Sequence, residues 1–247
     1  MKEQIEYFLQ EKQLSKNSYQ SYWYDLQQFV ELCQGQLTEA KLTIYRAFLQ
    51  NAKPSVQRRK ISAVNQFLYF LYEKEQIDRF YKLKAVKSTL PSLSQRPPLE
   101  DFTVMWQETN QKQGQLIALM MVTMGLLPSE LALLRQEDIN LNFEILTLGQ
   151  EKERRVIPLP KELLPFLEKQ EKGIFLFDKK GKPYSRQWFY NRLTDFTRLL
   201  GKNEWTAQKL REQYILRQLS AGKPIDDLAK ELGLTSRMSL EKYRQWI

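Results

Sequence analysis

Histidine is absent from this 247-residue sequence, and cysteine occurs once, as Cys33. An intrachain disulfide is therefore excluded, and so is a zinc-type ligand cluster, which draws mainly on those two residue types. Long apolar runs are missing too: nothing approaches the roughly 20 residues that a membrane span needs. The opening Met1-Lys2-Glu3-Gln4 lacks the apolar core of a secretory signal. These absences point to a cytoplasmic protein with no membrane partner and no metal. Internal repeats and low-complexity stretches are also lacking. The single thiol falls in the apolar register of a helical pattern, the setting of a buried structural cysteine.

What is abundant is positive charge, with a formal net charge of +9. Lys and Arg that neutralise phosphates gain affinity by releasing condensed counterions, so a polyanionic partner is favoured. The excess is local. Residues 52–96 carry ten Lys/Arg against three Asp/Glu, whereas residues 1–51 carry five against six. Arg58, Arg59 and Lys60 stand at the centre of the basic stretch and are expected to contact phosphates, which would position the protein on a nucleic acid without naming a sequence.

Hydrophobic periodicity organises the first third of the chain. Tyr19, Tyr22, Trp23, Leu26, Phe29, Val30 and Cys33 recur at three- and four-residue spacing, predicting a long helix over 15–34 with Ser15 as N-cap and Gly35 as its stop. A second helix is expected from about Thr38, carrying Leu42, Tyr45, Phe48 and Leu49. A third follows Pro54, with Ser55 as its cap and Ile61, Val64, Phe67, Leu68 and Leu71 on its buried stripe. With a short helix around Ile5 and Leu9, these make a four-helix unit. Its aromatic stripes read as core packing rather than as base-stacking platforms.

Between Lys87 and Leu99 the periodicity fails and Pro91, Ser92, Ser94, Pro97 and Pro98 accumulate, marking a linker over 88–99 between domains at 1–87 and 100–247. Beyond it, residues 116–124 read as a buried helix and Pro128 suits the first turn of the next. Residues 144–148 and 155–159 alternate around a charged turn, predicting an antiparallel hairpin, to which 174–177 is expected to add a third strand. Helices are expected at about 161–171, 185–200, 205–221, 224–232 and from 237 onward, with Gly201, Gly222 and Gly233 ending three of them. The fold class is mainly α with a small antiparallel sheet.

Several motifs now align in order with one family. Leu14-Ser15-Lys16-Asn17-Ser18-Tyr19, followed by Ser21-Tyr22, Asp25-Leu26 and Phe29, resembles the opening of the core-binding, SAM-like domain of Xer-type tyrosine recombinases of the phage integrase family. Arg58 to Ala63 resembles its DNA-facing fourth helix. Gly125-Leu126-Leu127-Pro128-Ser129-Glu130-Leu131 is similar to the family's G-L-R-x-S-E-L, and Gly149 to Leu159 aligns without gaps to G-K-G-x-K-x-R-x-V-P-L. Leu210-Arg211, Leu232-Gly233 and Tyr243 keep the spacing of H-x-L-R, L-G-H and the terminal tyrosine.

The resemblance implies two domains clamped on duplex DNA and a tyrosine that attacks a backbone phosphate, giving a 3′-phosphotyrosyl bond and a 5′-hydroxyl without metal or nucleotide cofactor. Arginines would hold the non-bridging oxygens, while a lysine and histidines would move protons. A second recombinase or a second copy of the chain is the implied protein partner. Arg211 and Tyr243 keep the family residue types. At the other positions Leu127 stands for the first arginine, Gln150 for the hairpin lysine, and Gln208 and Leu234 for the two histidines. Leu127 offers a phosphate no donor and suits a core. Gln150 and Gln208 form hydrogen bonds but shuttle no proton. Glu212, where a further histidine often follows the arginine, disfavours a nearby phosphate.

Three functions follow from this reading. The first is a DNA-binding member of the family with strand cleavage weakened or lost. The second is a working recombinase in which Lys152, two residues beyond Gln150 and on the same face of an extended hairpin, replaces the lysine. The third takes residues 228–236 as a helix-turn-helix, with Thr235 and Ser236 reading bases. Arg211 either faces a phosphate or pairs with Glu204 or Asp226. Tyr243 is either a nucleophile or an aromatic packed beside Trp246.

Overall fold

A computed structural model describes residues 1–84, 97–149 and 154–244. The chain divides into two compact units, Met1–Ser94 and Gln95–Ile247. Most of the expected linker, together with Gln150, Lys152 and Trp246, lies outside the described residues.

Four helices build the first unit: α1 (Lys2–Glu11), α2 (Lys16–Leu32), α3 (Glu39–Gln50) and α4 (Pro54–Glu73). Ser15 and Thr38 cap α2 and α3, accepting from the N–H groups of Ser18 and Lys41. Side-chain capping matters here because the first N–H groups of a helix have no partner within it. At α4 the expected Ser55 cap is displaced. Lys53 occupies the cap position and Pro54 the first turn, where proline's missing N–H costs nothing. The helical stripes converge on a core that includes Leu26, Phe29, Val64, Phe67 and Leu68. Phe8 sits 5.5 Å from both Phe67 and Phe70, and Phe29 meets Tyr45 edge-on at 4.9 Å. Each such buried side chain contributes about 1.5–3 kcal/mol. Cys33 is buried in this core.

Lys60 corrects the expectation of an exposed basic face. It is only 8% exposed, and its ammonium donates to Asp25 Oδ1 at 2.8 Å and Gln28 Oε1 at 2.6 Å. Asp25, itself buried, also accepts from Arg59, which further donates to the Ser21 carbonyl at 3.2 Å. Arg58 and Arg59 are exposed, and of the three it is Arg59 and Lys60 whose ion pairs with Asp25 are seen.

The second unit is centred on α5 (Lys112–Met124), which is buried on nearly every side and packs against α8 (Arg186–Leu199) and α9 (Ala207–Ser220). A helix apolar all round belongs in the middle of a core. Between α5 and α8 lie α6 (Pro128–Leu133), strands β1 (Ile139–Asn140), β2 (Ile145–Leu148) and β3 (Arg155–Pro158), and α7 (Leu164–Glu168). After α9 come α10 (Ile225–Glu231) and α11 (Met238–Glu241). The sheet is antiparallel in the order β1-β2-β3, with Leu146 opposite Ile157. Gly201, Gly222 and Gly233 follow α8, α9 and α10 with positive φ.

Two expectations fail in this unit. Residues 174–177 form no strand. Phe175 makes a single bridge to Arg135, because Asp178 Oδ2 draws the N–H groups of Ile174 and Phe175 into a turn at 2.8 and 3.1 Å. The third strand is β1 instead. The helix-turn-helix also fails. The helix after α10 is four residues long, and Thr235 and Ser236 precede it in irregular backbone, so no recognition helix is formed. Among the described residues no helix is long and apolar enough to cross a membrane.

Candidate functional site

The start of α9 supplies the site's framework. Thr206 caps the helix by accepting from Lys209 N–H at 3.3 Å, and the buried Trp205 anchors the turn before it. Gln208 is then exposed at the second position, while Arg211 and Glu212 are half-buried one turn on. Tyr243 comes back to this helix from just beyond α11 and is 4% exposed. A cleft of about 240 Å³ gathers Leu127, Gln208, Arg211, Leu234 and Tyr243, five positions spread over more than a hundred residues of sequence. Glu212, Tyr190 and Lys242 also line it. Four of the sequence-derived positions thus stand around Tyr243, and the cleft is open.

Leu127 does not fill a core as expected. It is 37% exposed and lines the cleft, because Pro128 begins α6 and the Leu127 N–H is held by Glu130 Oε2 at 2.6 Å. Gly125, just before, has φ +67, a left-handed conformation, and a Cβ there would sit 2.5 Å from the Tyr214 ring. Its carbonyl accepts from Arg211 Nη1.

Arg211 is held from three directions. Nη1 donates to the Gly125 carbonyl, Nη2 reaches the Leu232 carbonyl at 3.2 Å, and Glu130 lies 3.6 Å away. Neither Glu204 nor Asp226 is its partner; Asp226 pairs with Arg237. Burial pulls the guanidinium below its ordinary pKa, and the Glu130 carboxylate opposes that. Glu130 is shared: its other oxygen accepts from Arg155 Nη2, and Arg155 Nε donates to the Glu231 carbonyl at 2.8 Å. One carboxylate therefore bridges two guanidiniums while capping α6. Both Glu130 and Arg155 lie inside the motifs that aligned from sequence, which was the only signal available for them.

The Tyr243 phenol is pushed above its ordinary value of 10.0, first by burial and then by the Glu212 carboxylate; Arg211 pulls the other way. Tyr214, behind Arg211, is raised as well, by burial and by its hydrogen bond to Glu231, which Lys223 also engages. The Lys242 ammonium lies 4.7 Å from the Tyr243 ring centroid. Among the described residues no group of three or more His, Cys, Asp or Glu is placed to hold a metal ion. The cleft thus gathers two phenols, an amide, two cations and one carboxylate.

Both units resemble known proteins. Residues 100–246 match the phage integrase family and residues 2–75 the N-terminal SAM-like domain of phage integrases. A protein named tyrosine recombinase XerD-like from Streptococcus suis is 51% identical over 244 residues, covering 99% of this chain and 100% of the relative. The protein of the same name from Streptococcus gordonii is 48% identical with the same coverage. Among solved structures, a lambda integrase dimer bound to a COC′ core site has a TM-score of 0.75 at 13% identity, over 99% of this chain and 95% of that one. The XerH site-specific recombinase in a pre-cleavage complex with its difH substrate has a TM-score of 0.70 at 14% identity, over 98% and 81%.

Proposed function

The chain belongs to the phage integrase family, and from that premise we propose that it binds duplex DNA as a XerD-like recombinase whose strand cleavage is weak or lost. The observation that carries this reading is the lining of the Tyr243 cleft. Leu127, Gln208 and Leu234 stand at positions where the family resemblance implies an arginine and two histidines, and the guanidinium of Arg211 is engaged by Glu130 and two carbonyls.

Attack by a phenol on a phosphodiester needs the phenol deprotonated, the equatorial oxygens held as charge grows, and a proton for the departing oxygen. Burial and Glu212 hinder the first of these by raising the Tyr243 pKa. The second falls to Arg211, which would have to loosen its carbonyl contacts to reach a ligand. For the third, neither Leu127 nor Leu234 donates a proton and Gln208 is too weak an acid. Removing one preorganised donor typically costs about 10²–10³ in rate, so several together leave little.

DNA binding is supported by the basic composition of residues 52–96 and by the DNA-bound state of the lambda integrase and XerH relatives in fold. A second copy of the chain or a partner recombinase belongs to the same reading, since lambda integrase is seen as a dimer and as a tetramer on a Holliday junction. The test is a panel of nicked duplexes that trap a covalent intermediate. Binding that tightens at low salt, with no protein–DNA adduct, is expected; an adduct that forms efficiently and disappears in Tyr243→Phe overturns the proposal.

A further inference from the structure

We infer that a second cavity, beside the Tyr243 cleft, takes a single unpaired nucleobase whose own phosphate lies at Arg211, an assignment that rests on reading that cleft as a phosphate site.

The cavity has a volume of about 410 Å³, within the roughly 300–1,000 Å³ of small-molecule sites. One wall is a single face of α8: Tyr190, Leu193, Thr194 and Thr197 follow one another at three- and four-residue spacing. The other wall is the turn into α9, with Asn203, Trp205 and Thr206. Both are held by the protein's own contacts. Trp205 is buried, its indole N–H donates to Glu100, and its ring meets Phe102 edge-on at 4.7 Å. The turn is tied to α8 by the Lys202 N–H, which donates to the Thr197 carbonyl at 2.8 Å.

The lining selects the ligand. Among the described residues that form it, none is charged. A groove that tracks a sugar-phosphate backbone carries Lys and Arg, because phosphate contacts gain from counterion release. This cavity offers instead hydrogen bonds of both senses beside aromatic rings, which is how an unstacked base is recognised. The Thr197 hydroxyl donates to the Thr194 carbonyl at 3.3 Å, leaving its lone pairs to accept. The Thr206 hydroxyl accepts from the Lys209 N–H at 3.3 Å, leaving its proton to donate. The side-chain amides of Asn203 and Gln208 each supply donors and an acceptor. Tyr190, Ala207 and Gln208 line this cavity and the Tyr243 cleft alike, so the two share a wall. A nucleotide with its phosphate on Arg211 therefore meets the cavity next to it. Extruding a base costs least where it is mismatched or already single-stranded, so the cavity fills there first.

The experiment follows isotope-labelled threonine methyls of the full chain by NMR, with thymidine, thymidine 3′-monophosphate and inorganic phosphate as probes. Thymidine should shift the Thr197 methyl saturably. The 3′-monophosphate should do so at a concentration lower by about tenfold, through its charged contact with Arg211, while inorganic phosphate alone leaves Thr197 in place. Thr194→Trp, at an exposed position, fills the mouth and should weaken thymidine by about tenfold or more. Asn203→Ala, on the exposed turn, removes only hydrogen bonds and should weaken it by about twofold to tenfold.

Thymidine that leaves Thr197 unmoved, that binds either variant as well as the parent, or that binds as tightly as its 3′-monophosphate overturns the base site. So does inorganic phosphate that moves Thr197 as far as thymidine does. Duplex binding and adduct formation judge the proposed function separately: thymidine bound without duplex binding defeats that function, and duplex binding with a silent Thr197 defeats the base site.

Discussion

Replacing Asp25 by alanine should unfold the first unit locally far more than the loss of one surface carboxylate would. Asp25 is 2% exposed and receives Lys60 at 2.8 Å, with Arg59 on its second oxygen. At an effective dielectric of about 20, the Lys60 pair alone attracts by about 6 kcal/mol before desolvation is counted. The Arg59 arm adds less, because its side chain is 40% exposed and solvent screens it. Desolvation of the two buried charges offsets much of the attraction, but that cost remains for Lys60 when its partner is deleted. Breaking such a pair therefore costs about 3–5 kcal/mol. Hydrogen exchange read peptide by peptide over α2 and α4 is the assay, since it assigns the loss to this unit. Protection should fall by roughly a hundredfold to several thousandfold. The double variant Asp25→Leu with Lys60→Met, which removes both charges, should recover most of it. The same geometry predicts that Lys60→Met leaves the salt dependence of DNA binding unchanged, whereas Arg58→Ala flattens the slope of log affinity against log salt by about one unit. A protection loss below about 1 kcal/mol, or a Lys60→Met slope that matches Arg58→Ala, would refute the inward role of Lys60.

Three further outcomes are expected. Gly125→Ala should destabilise the second unit by about 2 kcal/mol or more in urea unfolding, combining left-handed backbone strain of about 1–2 kcal/mol with displacement of the Tyr214 ring from a 2.5 Å contact. Cys33, raised by burial from 9.0 to about 11, should alkylate slowly at pH 8 in the native protein and rapidly in denaturant. Its folded pKa exceeds the unfolded one, so its stabilisation is complete below about pH 9 and is withdrawn as pH climbs toward 11, a loss that Cys33→Ala should not show. Asp178 is held below the usual carboxylate range by the N–H groups of Gly181, Phe175 and Ile174. Its contribution is thus present above that range and lost as pH falls through the lowered value. The stability gap between the protein and Asp178→Asn, followed by circular dichroism across an acid titration, should close in acid.

Much of this architecture is legible in the sequence because it is carried by periodicity and punctuation. The stripe from Tyr19 to Cys33, the Ser15 cap, Pro128 and the terminal glycines all act within one or two helical turns, where local rules suffice. Apart from the Ser55 cap, which Lys53 and Pro54 displace locally, the failures share a longer range. Lys60 reads as surface because a lysine on an amphipathic helix usually is, and only the buried Asp25, 35 residues earlier, turns it inward. Residues 174–177 have strand composition, but Asp178 takes the N–H groups that a ladder would need. At the site, the order of motifs brought Arg211, Tyr243, Leu127, Gln208 and Leu234 to notice. It could not show that Glu130 joins two guanidiniums, since that depends on the hairpin, α6 and α9 meeting in space.

The fork of Arg155 carries one more consequence, for the order in which the second unit assembles. It joins Glu130, 25 residues before it, to the carbonyl of Glu231, 76 residues after it, and it lies so close over Gly233 that a Cβ there would meet the guanidinium at 2.6 Å. Closing loops of that length costs chain entropy that only finished neighbours repay. The fork is thus a late-forming clasp. Until it shuts, Glu130 has one fewer guanidinium to share, and the pocket around the phenol reaches its final shape only when the last helices have come home.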